Sequence, residues 1–128
     1  MASITLILLA AGRSSRFGRP KQLEPVGPNG EAIMDITLRD AFAHGCEHAV
    51  IVVRPEHRTL FSQRSKHDER ITTVVQEEPI GTAHAVLVAL GSMKGTVIVA
   101  NGDDLYGSTS ITKAVHHAKQ GQANEHAL

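Results

Sequence analysis

The sequence predicts an α/β protein, with helices packed on both sides of a mostly parallel sheet. Two observations carry that reading. Short, nearly continuous β-favouring runs recur at residues 4–9, 49–53, 71–75 and 96–100, and between them apolar residues fall at helical spacing. Runs without polar alternation are what strands buried on both faces require. Strand–helix alternation joins such strands by right-handed crossovers. The 128 residues suffice for one core and one principal site, so residues 1–128 read as a single domain.

Taken in order, the first run, Ile4-Thr-Leu-Ile-Leu-Leu9, ends in the small and polar Ala10-Ala-Gly-Arg-Ser-Ser15, which is loop chemistry. Pro25-Val-Gly-Pro-Asn-Gly-Glu31 contains the turn-forming pair Asn29-Gly30 and reads as a loop or tight hairpin. From Ala32 the period becomes helical, because Met34, Leu38, Ala41 and Phe42 share one face, and Gly45 supplies a stop. After the second strand, a short helix is expected over residues 56–64, then the third strand. A helix opens at Gly81-Thr-Ala-His-Ala85, with Thr82, Val86, Ala89, Leu90 and Met93 on one face. The fourth strand is broken by Asn101-Gly-Asp-Asp104, and a final helix over residues 110–120 turns Ile111, Ala114, Val115 and Ala118 inward. Glu125-His-Ala-Leu128 reads as the start of a further strand.

Composition narrows the function classes. Hydrophobic residues make up 41% and charged residues 20%, as in ordinary globular proteins. Lys plus Arg and Asp plus Glu both number 13, so no net field draws the chain onto nucleic acid or an anionic membrane, and neither is expected as a partner. The apolar stretch over residues 4–11 is too short to span a bilayer and has no charged segment before it. The single cysteine, Cys46, precedes an apolar run and reads as a core residue in a reducing compartment. A cytoplasmic location follows as the expectation.

In open parallel sheets, ligands sit beyond the carboxyl ends of the strands, where strand order reverses. The two most polar strand ends follow Leu9 and Ala100, and the site is expected between them. Leu9-Ala-Ala-Gly-Arg-Ser-Ser-Arg-Phe-Gly-Arg-Pro-Lys21 supplies what a triphosphate needs. Ala10, Ala11 and Gly12 let a phosphate or base lie against the main chain, Ser14 and Ser15 add hydroxyl donors, and Arg13, Arg16, Arg19 and Lys21 are four cations within nine residues. Composition alone is equally compatible with a strand-to-helix turn carrying a solvated basic flank. The eight histidines include no pair with the spacing of a zinc site. His116 and His117 point to different faces of one helix, and His84 reads as a structural residue or a residue at the substrate rim.

The stretch from Leu9 to Lys21 resembles the signature of the sugar-phosphate and cofactor nucleotidyltransferases, with Ser14 in place of the second glycine as in the molybdenum cofactor branch. Gln76 with Gly81-Thr-Ala-His-Ala85 resembles that family's base-reading segment, and Gly102-Asp-Asp-Leu-Tyr-Gly107 its metal-binding strand end. The resemblance implies a Rossmann-like three-layer α/β/α sandwich of nucleotidyltransferase type. It implies that Ala10, Ala11 and Gly12 contact the nucleoside and that the amides of Arg13, Ser14 and Ser15 hold phosphates. Arg16 and Lys21 would be the catalytic cations, Gln76, Gly81 and Thr82 would read the base, and Asp103 would hold Mg²⁺. The implied reaction moves a nucleoside monophosphate from a nucleoside triphosphate to a sugar phosphate or similar phosphorylated acceptor, releasing pyrophosphate.

In that family the chain continues well beyond the position matching Leu128, and the later part supplies most of the acceptor pocket and a second metal ligand. The expectation is therefore a truncated nucleotide-binding part lacking the acceptor half, either of a working transferase or of a non-catalytic nucleotide-binding or self-associating module. A sheet without its last strands exposes backbone and apolar surface, which leads one to expect a homo-oligomer. A dinucleotide-binding domain fits less well, because Gly12 is followed by Ser14 and the second strand ends in Arg54-Pro55 rather than an acid.

Overall fold

The computed structural model describes residues 4–11, 15–16, 19–78, 81, 84–86, 89, 96–101 and 126–127. Within it, strand β1 is Ile4–Ala10, one residue longer than the sequence pattern marks, so Ala10 belongs to the sheet rather than to the loop. Strands β2 (Ser15–Arg16) and β3 (Arg19–Pro20) form a small antiparallel ribbon inside what the sequence presents as a plain loop. A 3-10 turn over Lys21–Leu23 follows and packs against helix α1, Ile33–Ala43. The remaining elements are β4 (His48–Val53), a 3-10 turn at Pro55–His57, α2 (Arg58–Ser65), β5 (Ile71–Val75), β6 (Thr96–Asn101) and β7 (His126–Ala127).

The second helix thus begins two residues after its expected start, because Pro55 opens a tighter turn first. Residues 84–86 and 89 are helical, as the Gly81 segment predicts. Strand β7 falls within the terminal stretch read as a strand start. The helix expected over residues 110–120 lies outside the described residues, and so do His116 and His117.

The main sheet has the order β5-β4-β1-β6-β7, with every pairing parallel. From β1 the chain steps outward to β4 and β5, then crosses back to place β6 on the other side of β1. Strand order therefore reverses between β1 and β6.

Side chains of β1 alternate between two cores. Ile4, Leu6, Leu8 and Ala10 pack with Ala49, Ile51, Val53, Ile98 and Ala100 under Met34, Leu38 and Ala41 of α1 and Phe61 of α2. Ile7 packs with Val50, Val52 and Val97 under Ala85 and Ala89 on the opposite face. Helical residues thus cover both faces, which makes the sheet the middle of three layers. Ala85 joins Ala89 in facing the sheet, a residue that the helical pattern from Thr82 to Met93 does not single out.

Local chemistry explains the boundaries of α1. The Asp35 carboxylate accepts the Ala32 backbone N–H at 3.1 Å, satisfying a donor that the first turn would leave open. At the other end the Gly45 N–H donates to the Phe42 carbonyl and the Cys46 N–H to the Ala41 carbonyl, with Gly45 at φ 117°. This pairing closes a helix through a residue of positive φ. It also turns Cys46 back into the core, 5% exposed, so its side chain packs as the sequence suggests. Before α1, Gly27-Pro-Asn-Gly30 is a true hairpin turn: the Gly30 N–H donates to the Gly27 carbonyl, and Pro25 bridges Ala32 antiparallel.

Candidate active site

Three separate chain segments arrive at one edge of the sheet. Register pairs Leu9 with Asn101, so the chain leaving β1 and the chain leaving β6 emerge side by side at the reversal of strand order. On the other flank, register pairs Ala10 with Val53 and Val53 with Val75, and the Gln76 N–H donates to the Val53 carbonyl at 2.9 Å. Gln76 is thereby held two strands from Ala10, about 10 Å at ordinary strand spacing. Ala10 and Ala11 are both buried at the head of the loop.

The ribbon of β2 and β3 changes how the basic residues relate. Ser15 pairs with Pro20 and Arg16 with Arg19, so the loop doubles back on itself. Arg16 and Lys21, five residues apart in sequence, are therefore at opposite ends of the ribbon as far as the backbone is concerned, Arg16 in the Arg16–Arg19 pair and Lys21 just past the Ser15–Pro20 pair. Pro20 and Leu23 are buried and anchor the returning chain. Between them Gln22 is buried at 2%, and its Oε1 has no hydrogen-bond partner among the described residues. Nothing in the sequence singles out this glutamine.

Gln76, which could have been a solvated glutamine at a strand end, is 4% exposed. Its Nε2 lies 3.3 Å from the Gly81 carbonyl oxygen and 2.8 Å from Nδ1 of His84. Gly81 itself has φ 109°, and its carbonyl also accepts the Ala85 N–H at 3.2 Å, which starts the helical turn. Burial of the amide is offset by these contacts, as a buried polar group requires. His84, read from sequence as a rim or structural residue, is therefore a direct neighbour of Gln76.

Gly12, Arg13, Ser14, Thr82 and Asp103 lie outside the described residues. No group of three or more His, Cys, Asp or Glu side chains able to hold a metal occurs among the described residues. A groove of about 520 Å³ runs between α1, α2 and the start of β5, lined by Phe42, Arg64, Asp68 and Arg70. It lies toward the amino-terminal edge of the sheet, where ligands of parallel sheets are not held, and its charges pair with one another. Among the described residues, no helix is long and apolar enough to cross a membrane.

A parallel sheet between two helical layers, reversing its strand order where a loop of small and basic residues leaves the first strand, is the Rossmann-like fold of the nucleotidyltransferases. The chain belongs to the MobA-like NTP transferase domain family, whose model matches residues 6–126. It is 34% identical over 136 residues to the bifunctional protein GlmU of Corynebacterium aurimucosum, covering 97% of this chain and 28% of that protein. The chain thus spans little more than a quarter of this relative's length. Among solved structures, Rv0371c of Mycobacterium tuberculosis H37Rv superimposes with a TM-score of 0.69 at 25% identity, covering 90% of this chain and 59% of that one. Its complex with manganese gives 0.67 at 22%, covering 93% and 61%. A nucleotidyl transferase from Methanothermobacter, Mth528, gives 0.72 at 18%, covering 90% and 57%.

Proposed function

We propose that residues 1–128 form the nucleotide-binding part of a nucleotidyltransferase that moves a nucleoside monophosphate from a nucleoside triphosphate to a sugar phosphate or similar phosphorylated acceptor. The observation that carries this reading is the adjacency of the β1 and β6 carboxyl ends at the reversal of strand order, with Gln76 and Gly81 on the same edge. In the reaction a phosphate oxygen of the acceptor attacks the α-phosphorus in line. The bond from that phosphorus to the bridging oxygen of the β-phosphate breaks, and pyrophosphate leaves with the electron pair. The acceptor phosphate is already a nucleophile, so the protein's work is positioning and charge neutralisation.

Ala10, Ala11 and Gly12 are assigned to the nucleoside, and the amides of Arg13, Ser14 and Ser15 to the phosphates. Arg16 and Lys21 are assigned to the charge that builds around the α-phosphorus. Gln76, Gly81 and Thr82 are assigned to the base. Asp103 lies two residues beyond Asn101, on the chain that leaves β6 beside β1. Its carboxylate oxygen is the donor type that Mg²⁺ prefers, and the manganese complex of Rv0371c supports a divalent ion in this fold. Asp103 would hold such an ion, whose positive charge would lower the cost of the charge that builds at phosphorus. The balanced charge supports no nucleic-acid partner, and the single cysteine in a core position supports a cytoplasmic location.

The test is direct. Mg²⁺ with each of CTP, UTP, dTTP, ATP and GTP is titrated against the chain, and pyrophosphate release is then assayed with a panel of sugar phosphates. Turnover that falls at least 100-fold in Arg16→Ala or Lys21→Ala is the expected result, about the loss seen when one preorganised charge contact is removed. The competing reading is a nucleotide-binding module without turnover. Tight binding with no pyrophosphate release would select it, and no binding at all would remove both.

A further inference from the structure

The amide of Gln76 is committed on one side. A carbonyl oxygen only accepts hydrogen bonds, so the amide atom 3.3 Å from the Gly81 oxygen must be the NH₂ group. The second hydrogen of that group faces Nδ1 of His84 at 2.8 Å, which must then offer a lone pair. The imidazole is neutral in this arrangement and carries its proton on Nε2. Both amide donors are spent inside the protein, and Oε1 has no partner among the described residues. The anchor is itself fixed, because the Gly81 carbonyl also holds the Ala85 N–H at the start of the helical turn.

From this geometry we propose that His84 is a positioning residue for base discrimination: it locks Gln76 so that the site presents a lone acceptor, Oε1, and favours bases with a ring N–H. This rests on the assignment of Gln76 to the base. Uracil and thymine carry such an N–H at N3, whereas cytosine has a lone pair there and would face an acceptor with an acceptor. The lock explains why a histidine stands in the helical turn that Gly81 opens, close to a glutamine that burial would otherwise penalise.

The experiment measures binding of UTP, CTP and N3-methyl-UTP with Mg²⁺ by calorimetry, on the full chain and on H84K, H84N and Q76A. The wild-type chain is expected to bind UTP about 10-fold more tightly than CTP or N3-methyl-UTP, the worth of one neutral hydrogen bond and its mismatch. H84N keeps an acceptor and should retain that ratio. H84K cannot accept the second amide hydrogen, while the Gly81 carbonyl still holds the first, so Gln76 is less firmly oriented and the UTP to CTP preference should weaken. Ring ¹⁵N shifts of His84 should place the proton on Nε2 in the wild-type chain, a readout that needs no nucleotide and holds whether or not H84K folds. A proton on Nδ1, or a UTP to CTP ratio unchanged in a folded H84K, would overturn the role of His84. Q76A with unchanged affinity for every nucleotide, or no binding by any, would overturn the base-site assignment as well.

Discussion

At the scale of single residues, Gly81 joins backbone strain to the candidate site. Its φ of 109° lies where side chains are rarely found, yet a Cβ there would meet nothing within 4 Å. Gly81→Ala should therefore destabilise through backbone conformation alone, by roughly 1–2 kcal/mol in urea unfolding. The carbonyl that holds Gln76 should shift with it, and nucleotide affinity should fall more than the stability change explains. Asp68 behaves differently. Its carboxyl is held below the usual aspartate range, first by hydrogen bonds from the Arg70 side chain and then by the Arg70 backbone N–H, against a desolvation that pushes it up. A carboxylate lowered on folding adds stability that is present above its unfolded value, about 3.9, and lost as pH falls through the folded one. An NMR titration should find the Asp68 midpoint below that of a free aspartate, returning to it in Arg70→Ala. The pair is partly exposed, so its share of stability is small.

At the scale of elements, α2 shows how little a helix need contribute by its own pattern. Phe61 is its one fully buried side chain and reaches the core shared by β1, β4 and α1. The Arg64–Asp35 ion pair ties the helix to α1, and within the helix the Ser65 hydroxyl donates to the Phe61 carbonyl. Phe61→Ala should cost about 3–5 kcal/mol by urea denaturation, because the cavity opens at the only apolar anchor α2 has among the buried residues. Helix α1, by contrast, is legible from sequence almost to the residue. Met34, Leu38 and Ala41 are all buried at the expected spacing, and Gly45 ends the helix as its position after the last apolar residue indicates. The ribbon of β2 and β3 was not legible, since two-residue strands carry no periodicity and are stabilised only by the pairing that tertiary contact allows.

At the scale of the whole molecule, the candidate site is a property of strand order. Binding restricted to the folded chain must raise its stability, by about 2.7 kcal/mol at a nucleotide concentration 100 times the dissociation constant. A thermal shift that appears with Mg²⁺ and nucleoside triphosphate, and is absent in Lys21→Ala, is the expected outcome. Strand β5 is one of the two outer strands of the main sheet among the described residues and carries Ile71, Thr72, Thr73, Val74 and Val75, of which Thr72 is exposed. A parallel edge rich in β-branched residues invites pairing with another copy. Light scattering should detect self-association that weakens in Thr72→Lys, and a clean monomer at high concentration would refute it.

The sequence by itself determined the alternation of strands and helices, the burial of strands on both faces, and the chemical character of the loop from Leu9 to Lys21. Those properties depend on local patterns of apolar spacing and on residue types that are readable in one dimension. Only the tertiary structure decided that β6 returns to the side of β1 away from β4, which puts Asn101 beside Leu9 and makes one edge out of segments more than 90 residues apart in sequence. It also decided that Gln76 is buried against Gly81 and His84 rather than solvated at a strand end. Partner choice between strands far apart in sequence, and the polarity of a buried amide, depend on what packs alongside, and no local pattern encodes that.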